Sequence, residues 1–233
     1  MFKAFVLAFD QLGERRSRGV LVKALGLTLL LYVVLAGLLG WGVTHLPQFE
    51  AGWANTLVDL FSGIGILLAL AILFPAVASA FIGLYLDDIA EAVESRHYPA
   101  DPPGRALAIG PALAGSLRFL LVMIALNLAV LPLYVLMLWF PPINLFIFYG
   151  LNGYLLSREY FELVAWRHVD RPTARALRKR NQGRLWLAGA VIAFLLTIPV
   201  ISLAAPIVAT AAMVHLFKRL SRAPGSLRPG AAF

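Results

Sequence analysis

Residues 149–170, YGLNGYLLSREYFELVAWRHVD, adjoin one of the most apolar stretches of the chain, yet they carry Arg158, Glu159, Glu162, Arg167, His168 and Asp170. On a helix, Arg158 and Glu162 stand four apart and face each other, Glu159 and Glu162 share nearly one face, and Arg167 lies on a neighbouring turn. An arginine so placed suits a small oxyanion, because its fixed fork of donors matches the anion's oxygens. Flanking carboxylates would orient the arginine and keep the anion from binding too tightly to leave. The same residues also suit an interfacial salt-bridge cluster that fixes helix depth and register, since an unpaired charge at a bilayer boundary is expensive. Both readings follow from the residue types. Asn152-Gly153 interrupts the apolar run with a polar side chain and a permissive backbone, which fits a close helix crossing, and Asn127 is placed to bond across to it.

Other chemistries find no footing. The chain has no cysteine, which removes disulfides, thiolate metal sites and thiol catalysis. Four histidines, at 45, 97, 168 and 215, lie in unrelated segments without ligand spacing, so no metal site is expected. No nucleophile–base pair, carboxylate dyad or phosphate-binding glycine loop can be assembled, which predicts neither an enzyme nor a cofactor.

The elements that must position the charged stretch are membrane elements. Hydrophobic residues make up 61% of the chain and charged ones 14%, with a mean hydropathy of +0.82; a soluble domain carries about 25% charged residues. The net charge of +8 comes from basic residues that flank apolar segments, which points to membrane topology and away from nucleic acid. Apolar blocks at 19–43 and 63–86 each exceed the roughly 20 residues that cross a bilayer core. The first is too long for a signal-peptide core and reads as a retained span. Blocks at 119–156 and 185–217 are too long for one ordinary helix and short for two complete spans.

Charge on the connections assigns sides. Lys3, Arg15, Arg16, Arg18 and Lys23 precede or enter the first span, whereas 44–62 holds only His45, Glu50 and Asp59 as ionisable groups. The N-terminus is therefore expected in the cytoplasm and this loop outside. Arginines after the second span, after the third block and after the fourth all call for the cytoplasmic side. Blocks three and four must then enter and leave from one face, with about 16 to 19 residues per arm, an arm rising less than the core thickness. The expected fold is an all-α integral membrane protein with two long transmembrane helices and two deeply inserted helical hairpins. Pro141-Pro142 marks one apex, and Pro199 and Pro206 bracket the other, although two proline kinks in one long tilted helix would leave the same sequence trace. Residues 1–18 read as an interfacial amphipathic helix, 87–98 as a cytoplasmic continuation of the second span, and 221–233 as a disordered tail, all within one membrane domain over 1–220.

The run NGYLLSREYFELVAWRH, residues 152–168, resembles the hallmark of the CysZ-type sulfate permeases and etoposide-induced membrane proteins, an Asn-Gly-Tyr-x-x-x-Arg-Glu-Tyr-Phe-Glu run followed by an Arg-His pair. The likeness extends more weakly over about residues 1–220 in the spacing of apolar blocks. It implies sulfate uptake across a bacterial inner membrane, two long spanning helices with partly inserted hairpins, and assembly as a homo-oligomer among membrane lipids. It also implies an anion site just before the first spanning helix, where the family carries a Gly-Leu-Arg-Arg turn. This chain offers Arg16, Ser17, Arg18 and Gly19 there, so only Arg18 matches an arginine of the motif. A helix N-terminus near 18–20 would present free amides and a favourable dipole to sulfate. The expected substrate-binding set is Arg16, Arg18, Gly19 and Arg158, with Glu159, Glu162, Arg167 and Asn152 as charge network or gate. A transporter of another solute, or a membrane scaffold without transport, remains the alternative.

Overall fold

The computed structural model describes residues 2–44, 52, 63–65, 74, 77–78, 81–82, 84–105, 121–122, 125–126, 128–137 and 139–222. These are helical almost throughout. Helix α1 covers Phe2–Asp10, a 3-10 turn Gln11–Gly13, α2 Arg15–Thr44, α3 Leu86–His97, α4 Pro141–Ala165, α5 Arg171–Arg180, α6 Gln182–Thr197 and α7 Pro199–Ser221.

Helix α7 is the hub. It is built largely of small and aliphatic residues, and Ala205, Ile207, Val208, Ala209, Ala211, Ala212, Met213 and Val214 are all fully buried. Helices α1, α3, α4 and α6 pack around it. Small side chains let several backbones approach one axis, and dispersion contacts replace what a water-driven core would supply. Among the described residues, two helices are long and apolar enough to cross a membrane, Arg15–Gly42 and Val200–Ser221, with 22% and 78% of their apolar windows buried. The first therefore turns most of its apolar surface outward, whereas the second is sheathed by protein. The expected span at 63–86 lies largely outside the described residues, as do Asn127 and the tail from 223 onward.

Proline marks two helix starts, at Pro141 and Pro199. A helical stretch over 128–136 ends before Pro141-Pro142, which occupy the first turn of α4, where a missing N–H costs nothing. Asn144 Nδ2 then donates back to the carbonyls of Met137 at 3.1 Å and Tyr134 at 3.4 Å, covering groups that the preceding helix leaves open. Between α6 and α7 the break is narrower than the sequence reading placed it. Ile198 alone is extended, Pro199 starts α7, and Pro206 lies inside that helix. The residues 200–205, expected at the apex, are helical, because a proline can be tolerated in a helix packed on all sides.

Arm lengths also depart from expectation. Helix α6, with 16 residues, rises about 24 Å and is short of the core. Helix α4 has 25 residues and rises about 37 Å; α7 has 23 and rises about 34 Å. Both run on into their polar ends instead of stopping where the apolar block stops. Helix α4 lies closely on α6, where Gly153 meets Ala190 and Gly189 meets the Gly153 backbone.

Helix α1 does not merely lie flat on a surface. Ala4, Phe5 and Ala8 are buried against α7, while Phe2, Val6 and Phe9 stay exposed on the opposite side. Helix α3 starts afresh after a turn at 84–85, so it is not a straight continuation of what precedes it. Its apolar face, Ile89, Ala90 and Val93, is fully buried, as the periodicity of the segment predicted.

Candidate functional site

Acidic residues of α3 meet the basic end of α4 and its following turn. Asp87 and Glu94 are two turns apart on one face of α3. Both reach Arg167, whose Nη1 donates to Asp87 Oδ1 at 3.1 Å and whose Nη2 donates to Glu94 Oε2 at 3.3 Å. The Arg167 side chain is only 3% exposed, so this pairing is what makes its burial tolerable. His168 Nε2 lies 2.8 Å from the other Glu94 oxygen, and its ring stacks on Phe217 of α7 at 5.2 Å. Burial pushes the Glu94 carboxyl up, but His168 and Arg167 outweigh it and hold it below the ordinary carboxylate value.

The segment after α3 closes over this cluster. The Arg105 amide donates to the Arg167 carbonyl at 2.9 Å. Gly104 is required beside it, since a Cβ there would fall 2.8 Å from Arg167 Nε. A few residues earlier, Asp101 accepts from Arg222 at 2.7 Å and pairs with Lys218 at 3.1 Å. Burial raises the Asp101 carboxyl, and these two cations more than reverse it. The Tyr98 hydroxyl bonds His215 Nδ1 at 2.8 Å, and the His97 and His215 rings meet edge to face at 4.9 Å. On the other side, Arg96 pairs with Glu14 and, at 3.6 Å, with Asp10. Segment 86–105 therefore ties the N-terminal turn, the end of α4 and the end of α7 together.

Arg158 and Glu162 do pair across one turn of α4, at 3.5 Å. Glu162 is also approached by Arg178 of α5, at 3.3 Å to the same oxygen. Glu159, one residue along, makes no ion pair among the described residues. Arg167 and His168 belong to the separate α3 cluster, so the charged stretch divides, with Arg158 and Glu162 in one site and Arg167 and His168 in the other. Asn152 Nδ2 donates to the Phe148 carbonyl of its own helix at 2.9 Å, and Asn127, its expected partner across the helices, lies outside the described residues. Its neighbour Gly153 makes the close crossing.

At the other end of the chain, α2 starts at Arg15, not near 18–20 as the apolar run suggested. The Arg18 amide already donates to the Glu14 carbonyl at 2.9 Å, and Gly19 sits inside the helix, where its own amide turns into the ladder. The open first-turn donors are those of residues 15–17. Arg18 is exposed, and Arg16 forms an exposed pair with Glu91 at 3.0 Å. Gln11 and Ser17, on either side of the helix start, are buried with side-chain polar atoms that have no hydrogen-bond partner among the described residues. Among the described residues Arg16 pairs with Glu91 and Arg158 with Glu162, so the expected binding arginines are held by different partners.

Three participants escaped the sequence reading: Asp87, Glu94 and Arg178. A signal for the first two existed. Asp87, Asp88, Glu91 and Glu94 concentrate four of the chain's 12 acidic residues within one short helix, in a chain whose connecting segments are rich in arginine. Arg178 had no such signal, being one of several in RPTARALRKR. No individually curated protein matches the chain. A family model described as sulfate transporter CysZ/etoposide-induced protein 2.4 matches residues 4–206, and the chain belongs to that family.

Proposed function

We propose that the protein is an inner-membrane transporter or channel for sulfate or a similar small oxyanion, supplying sulfur assimilation and cysteine synthesis. It works as a multi-pass homo-oligomer with both termini in the cytoplasm, and it is not an enzyme. The family match over residues 4–206 is the observation that carries this reading. The start of α2 supports it independently. There the first-turn amides of residues 15–17, the dipole of a 30-residue helix and the guanidiniums of Arg16 and Arg18 offer donors to an anion. Gln11 and Ser17 add buried polar groups that lack a partner among the described residues, and such groups are where an ion or ordered water is held.

Sulfate is doubly charged and strongly hydrated, so several donors must replace its water together. Arg16 must exchange Glu91 for the anion, an exposed pair that costs little to part. The test is saturable uptake of labelled sulfate by purified protein in liposomes, with and without a pH gradient. Arg18→Gln is expected to raise the concentration for half-maximal uptake, Arg18→Lys to restore part of it, and Arg228→Gln to change nothing. A parent protein that stays folded yet moves no sulfate under any gradient refutes the reading.

A further inference from the structure

Glu162 presents an unusual pairing. Its side chain is 9% exposed, and one oxygen faces the Nε atoms of both Arg158 and Arg178, at 3.5 and 3.3 Å. Neither approach has hydrogen-bond geometry: Glu162 Oε1 and Arg178 Nε are both enclosed and without a hydrogen-bond partner. Two guanidiniums are thus drawn to one carboxylate by charge, without being satisfied by it. The Nη ends of both arginines are neither enclosed nor hydrogen-bonded among the described residues. Trp166, four residues beyond Glu162 and so on the same helical face, keeps a buried indole N–H with no partner.

The charge sum is one positive in excess, and the free donors are paired planar forks. A buried carboxylate with a single charge cannot use up two bidentate donors. We infer that Arg158 and Arg178 form a binding site for a tetrahedral oxyanion, separate from the start of α2, with Glu162 holding the two arginines together when the site is empty. Arg178 reaches it because α5 folds back along the end of α4, bringing Ala174 and Leu177 into the core and turning Arg178 inward. A dianion would bring the three-residue set from one positive to one negative charge, while Glu162 weakens its hold and favours release. The anion is either free sulfate, in which case the site deepens the transport reading and rests on it, or the phosphate of a lipid headgroup at the same interface.

Purified protein in detergent, stripped of lipid, is titrated with sodium sulfate against sodium chloride of equal ionic strength, and thermal unfolding is followed. A parallel series uses short-chain phosphatidylglycerol against phosphatidylcholine. Parent protein is expected to gain stability with sulfate or with phosphatidylglycerol. Arg178→Gln should need about tenfold more of the same ligand, and Arg178→Lys an intermediate amount, because the charge stays and the fork is lost. Glu162→Gln should bind more tightly than the parent. Equal ligand response in parent, Arg178→Gln and Arg178→Lys overturns the site, as does weaker binding in a folded Glu162→Gln. Uptake in liposomes separates the two readings. Sulfate uptake that depends on Arg18 with a response indifferent to Arg178 leaves transport standing and removes this site. An Arg178-dependent response to phosphatidylglycerol alone, without sulfate uptake, keeps the site for lipid and removes the transport reading.

Discussion

Gly189 of α6 rests directly on the carbonyl of Gly153 in α4. A Cβ at 189 would overlap that backbone and fall 2.8 Å from the Ser157 Cβ, and a Cβ at 153 would lie 3.0 Å from the Ala190 nitrogen. Two backbones touch here because neither residue has a side chain. The crossing fixes how α6, whose apolar span is short, leans on the longer α4.

Gly189→Ala should therefore force the helices apart and lower stability by about 1–3 kcal/mol or more. Gly150→Ala, one turn before Gly153 where nothing lies within 4 Å of a Cβ, should be neutral or slightly stabilising through helix propensity. Melting temperatures in detergent, with monomer and oligomer resolved by size, decide it. A Gly189→Ala protein as stable as the parent means that the crossing is looser than the structure has it.

Much of the helical layout was legible because apolar block length and proline position act locally. Pro141-Pro142 stops one helix and starts another through its own ring, and the apolar face of α3 is visible in its periodicity. The Arg158–Glu162 pair followed from a spacing of four. Arg167 did not follow. Its partners Asp87 and Glu94 are 80 and 73 residues away, and no spacing rule reaches across independent helices. The start of α2 was placed three to five residues late because hydropathy reports where a helix becomes apolar, while the chain becomes helical earlier, at Arg15. The arms of α4 and α7 were underestimated for the same reason.

Acidification should loosen segment 86–105 in two stages. Burial and Arg96 push His97 below its ordinary value of 6.5, with Asp10 opposing. The unfolded chain therefore takes up this proton first, and stability present above pH 6.5 is lost as pH falls toward the folded-state value. Glu94 and Asp101 are held below their ordinary values of 4.5 and 3.8, so what they contribute persists until pH drops through that lower range. Melting temperature measured against pH should show both limbs in the parent. His97→Gln should shrink the upper limb and leave the lower one, the remainder of the upper limb belonging to His215, whose ring meets that of His97 at 4.9 Å; an undiminished upper limb would take His97 out of it.

Membrane topology can be read with single cysteines, since the chain has none of its own. Ala176 is an exposed position on basic helix α5, whereas Ala174 is fully buried and would report nothing. Impermeant thiol reagent applied to intact cells is expected to label a cysteine at Gln48 and spare one at Ala176. Labelling of both from outside would place α5 on the far side and require conventional crossings in place of inserted hairpins.

The Arg167–Glu94 pair offers the sharpest test of how the ends of α3 and α4 are held together. Both side chains are almost completely buried, at 3% and 7% exposure, so either one left alone is an uncompensated charge out of water. Glu94→Gln and Arg167→Met should each destabilise by about 3–5 kcal/mol. Glu94→Gln also frees His168, whose ring stays stacked on Phe217, and Arg167→Met strands Asp87, although that carboxylate is 43% exposed and can turn to solvent. The double variant removes the buried charges together, so its loss should fall short of the summed single losses by at least about 1 kcal/mol. Denaturation in mild detergent, scored by the fraction of folded protein, supplies the four corners of the cycle. Strict additivity would mean that Arg167 and Glu94 are each compensated by other groups, and that the segment over 98–105 is held by Asp101 with Lys218 and Arg222 and not by this pair.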